Sequence, residues 1–476
     1  MAAPSFMVNI VDTIHVSAPA GSVPTTSLPL NYLDLPWFAS APMQSLFFYE
    51  FPHSTSHFIQ AALPILKHSL SLTLQQFFPL AAKLMCPPPP LKPYIFYTDG
   101  GGDSVPLTVS ESTADFNLLI ANYPRDFKSL HPYVPELPPS TMSSDGVRVL
   151  PIMAVKVTVF PNVGVCIGLA HNHVAADGSS FMHFVRCWSS VCKSNGEPAS
   201  AFLNDSARRP IHNREAFDDP NGCNDEALKF YWHWISSWRE NLGPSKEILP
   251  ADKVRATFVL AAAQIVKLKQ QLTTQCKNSN ESEQQLISTF IATCSIMWIC
   301  MIKSEENYNP ISSNGHDDDD TLHYFLFAVD CRSRTGFPLP VTYFGNCLAP
   351  GIVKAKKGDL MVSNGIVTAA EAIAKKVKEM ESGALQEAQK GTSKLEEMFR
   401  SGHHVAVSGS PKFRVYDMDF GWGRPMKIEF IHIDDGGSLS FIESRDEPGG
   451  MEVSLVLSKN RMDAFTSNLA ENLKAF

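Results

Sequence analysis

Residues 167–181 read IGLAHNHVAADGSSF and bring two histidines, His171 and His173, close to one acid, Asp177. An imidazole, with an unperturbed pKa of about 6.5, can take up and return a proton near neutral pH. Spacing separates the two rings. His173 and Asp177 form H-x-x-x-D, whereas the residue four after His171 is Ala175. His173 is therefore the candidate general base. A lone histidine on a turn is as often a structural hydrogen-bonder, so the assignment needs support from elsewhere in the chain.

Two other chemistries compete for this turn. H-x-H at a strand end also occurs in zinc hydrolases, but zinc needs three or four ligands, and the residues after His173, VAAD, do not supply them at the usual positions. The sequence is read as holding no metal site. A nucleophilic serine would sit in a G-x-S-x-G elbow, and the chain contains none. If an acyl group moves here, the acceptor itself must be the nucleophile. The acidic run Asp317–Asp320 lies in a Ser/Asn/Gly-rich stretch and reads as a solvated loop tip.

A second constellation is YDMDFGWGRP, residues 416–425, where Gly421, Gly423 and Pro425 surround Trp422. Alone it reads as a turn around a packed tryptophan.

The elements around these motifs follow from periodicity. IMAVKVTVF and VGVCIGLA are rich in β-branched residues and flank Pro161 and Asn162, which predicts two neighbouring strands, the second running straight into His171. After the turn, Phe181, Phe184, Val185, Trp188 and Val191 recur at helical steps. The histidine thus sits on a strand-to-helix turn, where rigid elements commonly hold binding and catalytic groups. A helix is expected over Phe58–Leu84, others over Glu283–Cys300 and 364–391, a strand ends near Arg332, and closing strands lie between 412 and 457.

With 476 residues the chain suits two domains. The expected division is 1–205 for the domain carrying H-x-x-x-D, 206–253 for a polar crossover with a short helix bearing Trp232, Trp234 and Trp238, and 254–476 for the second domain. A formal net charge of -8 gives no general basic field, which argues against nucleic acid as partner. No run approaches the length of a membrane span, and the N-terminus fits neither a signal nor a transit peptide. Ten scattered cysteines without C-x-x-C read as reduced thiols of a cytoplasmic protein.

HVAADG at 173–178 together with DFGWG at 419–423 resembles the BAHD family of plant acyl-CoA-dependent acyltransferases. FFPLAAKL at 77–84 and YFGNC at 343–347 extend the resemblance along nearly the whole chain, with Ala82 standing where the family usually has Gly. YFGNC, SGSPKF and SLSFIESRD look like the subgroup acting on anthocyanin, flavonoid and other phenolic glycosides.

The resemblance implies an α/β fold of two chloramphenicol-acetyltransferase-like domains with a substrate channel between them. It also implies acyl-CoA as co-substrate, a phenolic glycoside as acceptor, no bound cofactor or metal, and a monomer. His173 would be the base and the Trp422 indole the oxyanion donor. Asp177 would pair with Arg332, Gly178 would permit a tight chain reversal, and Asp419, Gly421 and Gly423 would brace their turn. Ser408, Ser410 and Lys412, with Lys253 and Arg255 for the nucleotide phosphates, would meet CoA. A binding protein that has lost activity and a metal-dependent hydrolase are the other classes; the paired motifs argue against the first, and the second requires bound zinc and activity without CoA.

For the acyl group, residues 179–184 carry no permanent cation before Arg186, so Phe181 and His183 suggest an aromatic-lined pocket for a hydroxycinnamoyl donor such as coumaroyl-CoA. A malonyl donor is the alternative: its carboxylate would need a cation, which a protonated His183 or a residue from elsewhere in the fold could supply.

Overall fold

The computed structural model describes residues 7–100, 102–195, 208–215, 219, 222–237, 252–277, 287–308, 319–332, 334, 339–434 and 437–474. Trp238, Asp317 and Asp318 lie outside them.

Met153–Phe160 and Gly164–His171 form the expected hairpin, antiparallel from Met153–His171 to Phe160–Gly164, with Asn162 at φ 63° in the turn. Asparagine tolerates that left-handed conformation better than most residues. The hairpin lies inside a six-stranded sheet, between Val105–Ser112 on one side and Met43–Glu50 on the other. Every residue of Gly164–His171 is buried, as a central strand covered on both faces requires. The helix Gly178–Lys193 follows, burying Phe181, Phe184, Val185, Trp188 and Val191.

A seven-stranded sheet organises the second half of the chain around Leu322–Asp330, Ser438–Glu443 and Met451–Ser458, with the helices Thr289–Tyr308 and Gly365–Ser401 packed beside it. Two strands cross between the halves. Lys427–Phe430 joins the first sheet by pairing with Met43–Glu50, and Arg125–Asp126 joins the second by pairing with Lys253–Leu260. A third sheet of five short strands completes the fold.

Helix ends differ from periodicity where local chemistry intervenes. The helix expected to reach Leu84 stops at Gln76, and Phe78–Leu80 forms a 3-10 turn. Pro79 has no N–H for a helical bond and restricts Phe78, so the apolar spacing outlives the helix.

Candidate active site

His173 lies just past the end of its strand, 5% exposed. Its Nδ1 is 3.1 Å from the Asn346 side-chain oxygen. The orientation of that amide is forced, because Asn346 Nδ2 faces Asp34 Oδ1 at 3.0 Å, the His173 carbonyl at 3.0 Å and the Val174 carbonyl at 3.1 Å. Three acceptor oxygens can share the two N–H groups of the amide nitrogen but would repel its oxygen, so Oδ1 turns toward the imidazole and accepts the Nδ1 proton. Neutral His173 therefore keeps its lone pair on Nε2, as a base needs. Burial pushes its pKa below the ordinary value, while its own backbone, Asp177 and Asn346 pull the other way. Trp37 stacks on the ring at 3.6 Å and 6°, which fixes its plane.

His171, the last residue of that strand, behaves differently. Its ring stacks on Phe181 at 3.7 Å, and neither nitrogen finds a partner of good hydrogen-bond geometry. Burial, with His173 nearby, drives its pKa well below 6.5.

Asp177 caps the helix. One carboxylate oxygen accepts from Ser180 N at 2.9 Å, and the other accepts from Arg332 Nη2 at 2.8 Å and Cys347 N at 2.9 Å. Arg332 also bonds the carbonyls of Tyr343 and Gly345, so the pair pins YFGNC against the histidine turn. Gly178 is not at positive φ and makes no reversal; it is the first helical residue, and a Cβ there would lie 2.7 Å from the Phe413 ring. Close packing, rather than backbone freedom, requires the glycine.

The structure removes Trp422 from the oxyanion role. Its ring packs on Tyr49, Phe51 and Phe58, with centroids 5.7, 5.6 and 6.2 Å away. Tyr49 pairs with Val165, whereas His171 pairs with Met43, so the two sites lie about six strand positions, roughly 20 Å, apart. A second ruler agrees: Asp419 bonds Lys193 at 2.7 Å, at the far end of the helix that begins beside His173, roughly 22 Å along its axis. Asp419 does brace its turn, accepting from Gly421 N at 2.8 Å and Gly423 N at 2.9 Å, both glycines at positive φ.

Arg255 is likewise committed. Its guanidinium is fully buried between Glu429, at 2.8 Å, and Asp434, so it cannot also face a CoA phosphate. Lys253 directs Nζ toward the Asp434 carbonyl at 3.3 Å. Phe181, 1% exposed and stacked on His171, belongs to the core rather than to a pocket wall. His183 is partly buried against Phe77; burial, with Arg186 beside it, lowers its pKa to about 4, so it is neutral at pH 7.

Ser410 caps the short turn Pro411–Phe413, whose Lys412 is exposed. Ser408 binds His432 Nε2 at 2.7 Å, and His432 Nδ1 donates to the Gln44 carbonyl at 3.2 Å. That second bond places the His432 proton on Nδ1, so Ser408 gives its hydroxyl hydrogen to Nε2 and presents lone pairs outward. Because Gln44 pairs with Ala170, this dyad reaches the same strand end as His171.

Asn346, Asp34, Trp37, Arg214 and His432 were not singled out by sequence. Asn346 stands inside the quoted YFGNC and Asp34 inside the turn-like NYLDLPW, the only local signals they offer. Among the described residues, no group of three or more His, Cys, Asp or Glu is placed to hold a metal ion, and no helix is long and apolar enough to cross a membrane.

Comparison with known proteins gives a consistent picture. The Transferase family model matches residues 6–472. The chain is 41% identical to coumaroyl-CoA:anthocyanidin 3-O-glucoside-6''-O-coumaroyltransferase 1 of Arabidopsis thaliana, covering 98% of both chains. It is 36% identical to a malonyl-coenzyme A:anthocyanin 3-O-glucoside-6''-O-malonyltransferase of Dahlia pinnata, covering 98% of this chain and 97% of the relative. In fold it is similar to vinorine synthase, with a TM-score of 0.68 at 19% identity over 98% of each chain. It is also similar to F. sporotrichioides TRI101 complexed with coenzyme A and T-2, with a TM-score of 0.63 at 14% identity over 93% and 97%.

Proposed function

Since the chain belongs to the BAHD transferase family of acyl-CoA-dependent acyltransferases, we propose that it moves a hydroxycinnamoyl group, such as coumaroyl, from CoA to a sugar hydroxyl of an anthocyanin or related phenolic glucoside. The observation that carries the mechanism is the His173 imidazole with its proton committed to Asn346 and Nε2 left as base. Nε2 takes the acceptor's hydroxyl proton as that oxygen attacks the thioester carbonyl, general-base work worth ~10² to 10⁴ in rate. The tetrahedral adduct collapses, the C–S bond breaks, and the CoA thiolate leaves with the proton returned by His173. No acyl-enzyme is needed.

Acyl-CoA and the acceptor meet between the domains 1–205 and 254–476, joined by the crossover 206–253, an arrangement supported by Arg332 and Asn346 of the second half reaching the histidine turn of the first. Ser408, Ser410 and Lys412 meet the CoA arm; the outward lone pairs of Ser408 suit an amide N–H. The enzyme works as a cytoplasmic monomer, and ten free cysteines, nine of them buried, are consistent with a reducing compartment.

The hydroxycinnamoyl donor draws support from the names of relatives at 41% and 40% identity. Two guanidinium groups close to His183 are also engaged, Arg332 with Asp177 and Asp330, and Arg186 with the Phe413 carbonyl. One observation favours a malonyl donor as the second reading: exposed Arg208 lies close enough to His183 to affect its charge. Purified protein given equal coumaroyl-CoA and malonyl-CoA with an anthocyanidin 3-glucoside, and read by product mass and free CoA, decides. A coumaroyl product is expected; malonyl product dominating tenfold, about 1.4 kcal/mol in transition-state binding, would reverse the assignment.

A further inference from the structure

Behind Asn346 the hydrogen bonds continue into a buried ion pair. Asp34 Oδ1 accepts from Asn346 Nδ2 at 3.0 Å and from Asn346 N at 3.3 Å, and its other oxygen meets Arg214 Nη1 at 2.7 Å. Both charged side chains are 0% exposed, and Asn346 is fully buried. Arg214 is held from its other side by the Ala175 carbonyl at 2.6 Å, within the histidine turn itself. The chain Ala175–Arg214–Asp34–Asn346–His173 thus leaves the turn at Ala175 and returns to it at His173.

We propose that Asp34, held in place by Arg214, is a positioning residue that sets the tautomer of His173 through Asn346. This role presupposes that His173 is the general base. An asparagine amide can present either end to an imidazole. Presenting Oδ1 stabilises the Nδ1–H form, with the base at Nε2; presenting Nδ2 stabilises the Nε2–H form, which cannot take a proton from substrate. The two neighbouring carbonyls favour the first orientation. Asp34 strengthens it by a charge-assisted bond, since a carboxylate is acceptor-only and cannot satisfy a flipped amide. A buried carboxylate here would be costly alone, and Arg214 offsets that cost. Arg214 thereby links the segment after the first domain to the reacting nitrogen.

The test reads the tautomer directly, by nitrogen NMR of selectively 15N-histidine-labelled full-length protein, with His173 assigned by its loss in His173→Gln. Wild type is expected to show Nδ1–H and an unprotonated Nε2 at pH 7.5. Asp34→Asn should move the His173 signals toward a mixture of tautomers and lower kcat by about 10²-fold, the lower end of what a general base supplies, with KM for both substrates within about twofold. Arg214→Lys, which keeps a cation opposite Asp34, should retain the Nδ1–H signature. Should Asp34→Asn fail to fold because it strands the guanidinium, the double variant Asp34→Asn/Arg214→Met removes both charges and carries the same expectation. Wild type in the Nε2–H form overturns the proposal. So does a folded Asp34 variant that keeps the Nδ1–H signature, whether kcat is unchanged or reduced. Because the NMR readout needs no turnover, an active His173→Gln would reject the base assignment separately.

Discussion

Asp177 and Arg332 meet at 2.8 Å with side chains 0% and 3% exposed, one from each half of the chain. The same carboxylate caps the helix through Ser180 N and holds YFGNC through Cys347 N. Its oxygens are occupied by these partners, and His173 Nδ1 is bonded to Asn346 instead. Asp177 therefore orients the histidine turn without sharing its proton.

Asp177→Asn leaves Arg332 buried without its main counter-charge, and breaking such a pair typically costs ~3 to 5 kcal/mol. Thermal melting should show a marked fall in Tm together with loss of turnover. An inactive variant with unchanged Tm would assign Asp177 to the chemistry instead.

His173→Ala should abolish turnover while His171→Phe keeps it within a few-fold. The His171 ring stacks on Phe181, and beyond a poorly aligned contact with the Ala176 backbone its nitrogens make no well-formed bonds, so an aromatic hydrocarbon can replace it at modest cost. Steady-state rates of the two folded variants check this; comparable losses would contradict the division of roles.

The H-x-x-x-D turn was legible because its determinants are local: a β-branched strand, a capping aspartate and an amphipathic helix lie within thirty residues of one another. What aims His173 was not legible. Asn346 is 173 positions away, and Asp34 is 312 from Asn346, so only the folded chain brings them together. The error over Trp422 has the same origin, since a motif shows that residues travel together but not where the sheet carries them. Arg255 looked available for phosphate because Glu429 and Asp434, its buried partners, come from a distant stretch of the chain that enters the first sheet. Phe181 looked like a pocket wall because helical spacing marks an apolar face without saying what covers it.

Trp422→Phe separates packing from catalysis. If its indole N–H held the oxyanion, loss of that donor would cost ~10² to 10³ in kcat. The ring instead fills a cluster with Tyr49, Phe51 and Phe58 far from His173, so kcat should stay within about twofold, well short of an oxyanion donor's loss. Tm should fall modestly as the larger ring is lost. A hundredfold drop in kcat with an intact fold would restore the catalytic role.

Acid should destabilise the fold in two windows. Burial, the largest cause in each case, lowers the pKa of His183, His212 and His432 from 6.5 to about 4. Below pH 6.5 the unfolded chain binds protons that the folded one refuses, so this stability is present above 6.5 and is lost as pH falls through about 4. Glu429 adds a lower window: burial alone would raise its pKa, but Arg125 and Arg255 hold it down from 4.5 to about 2. Its contribution is present above 4.5 and is lost as pH falls toward 2. Tm measured from pH 8 downward should therefore begin to decline near 6.5 and continue below 4.5. His212 offers a clean test because its Nε2 donates to the Gln76 carbonyl at 2.8 Å, a bond that the amide of His212→Gln can replace without titrating. That variant should show a shallower decline between 6.5 and 4 and an unchanged slope below. A variant curve parallel to wild type through the upper window would mean that His212 takes up its proton as readily folded as unfolded.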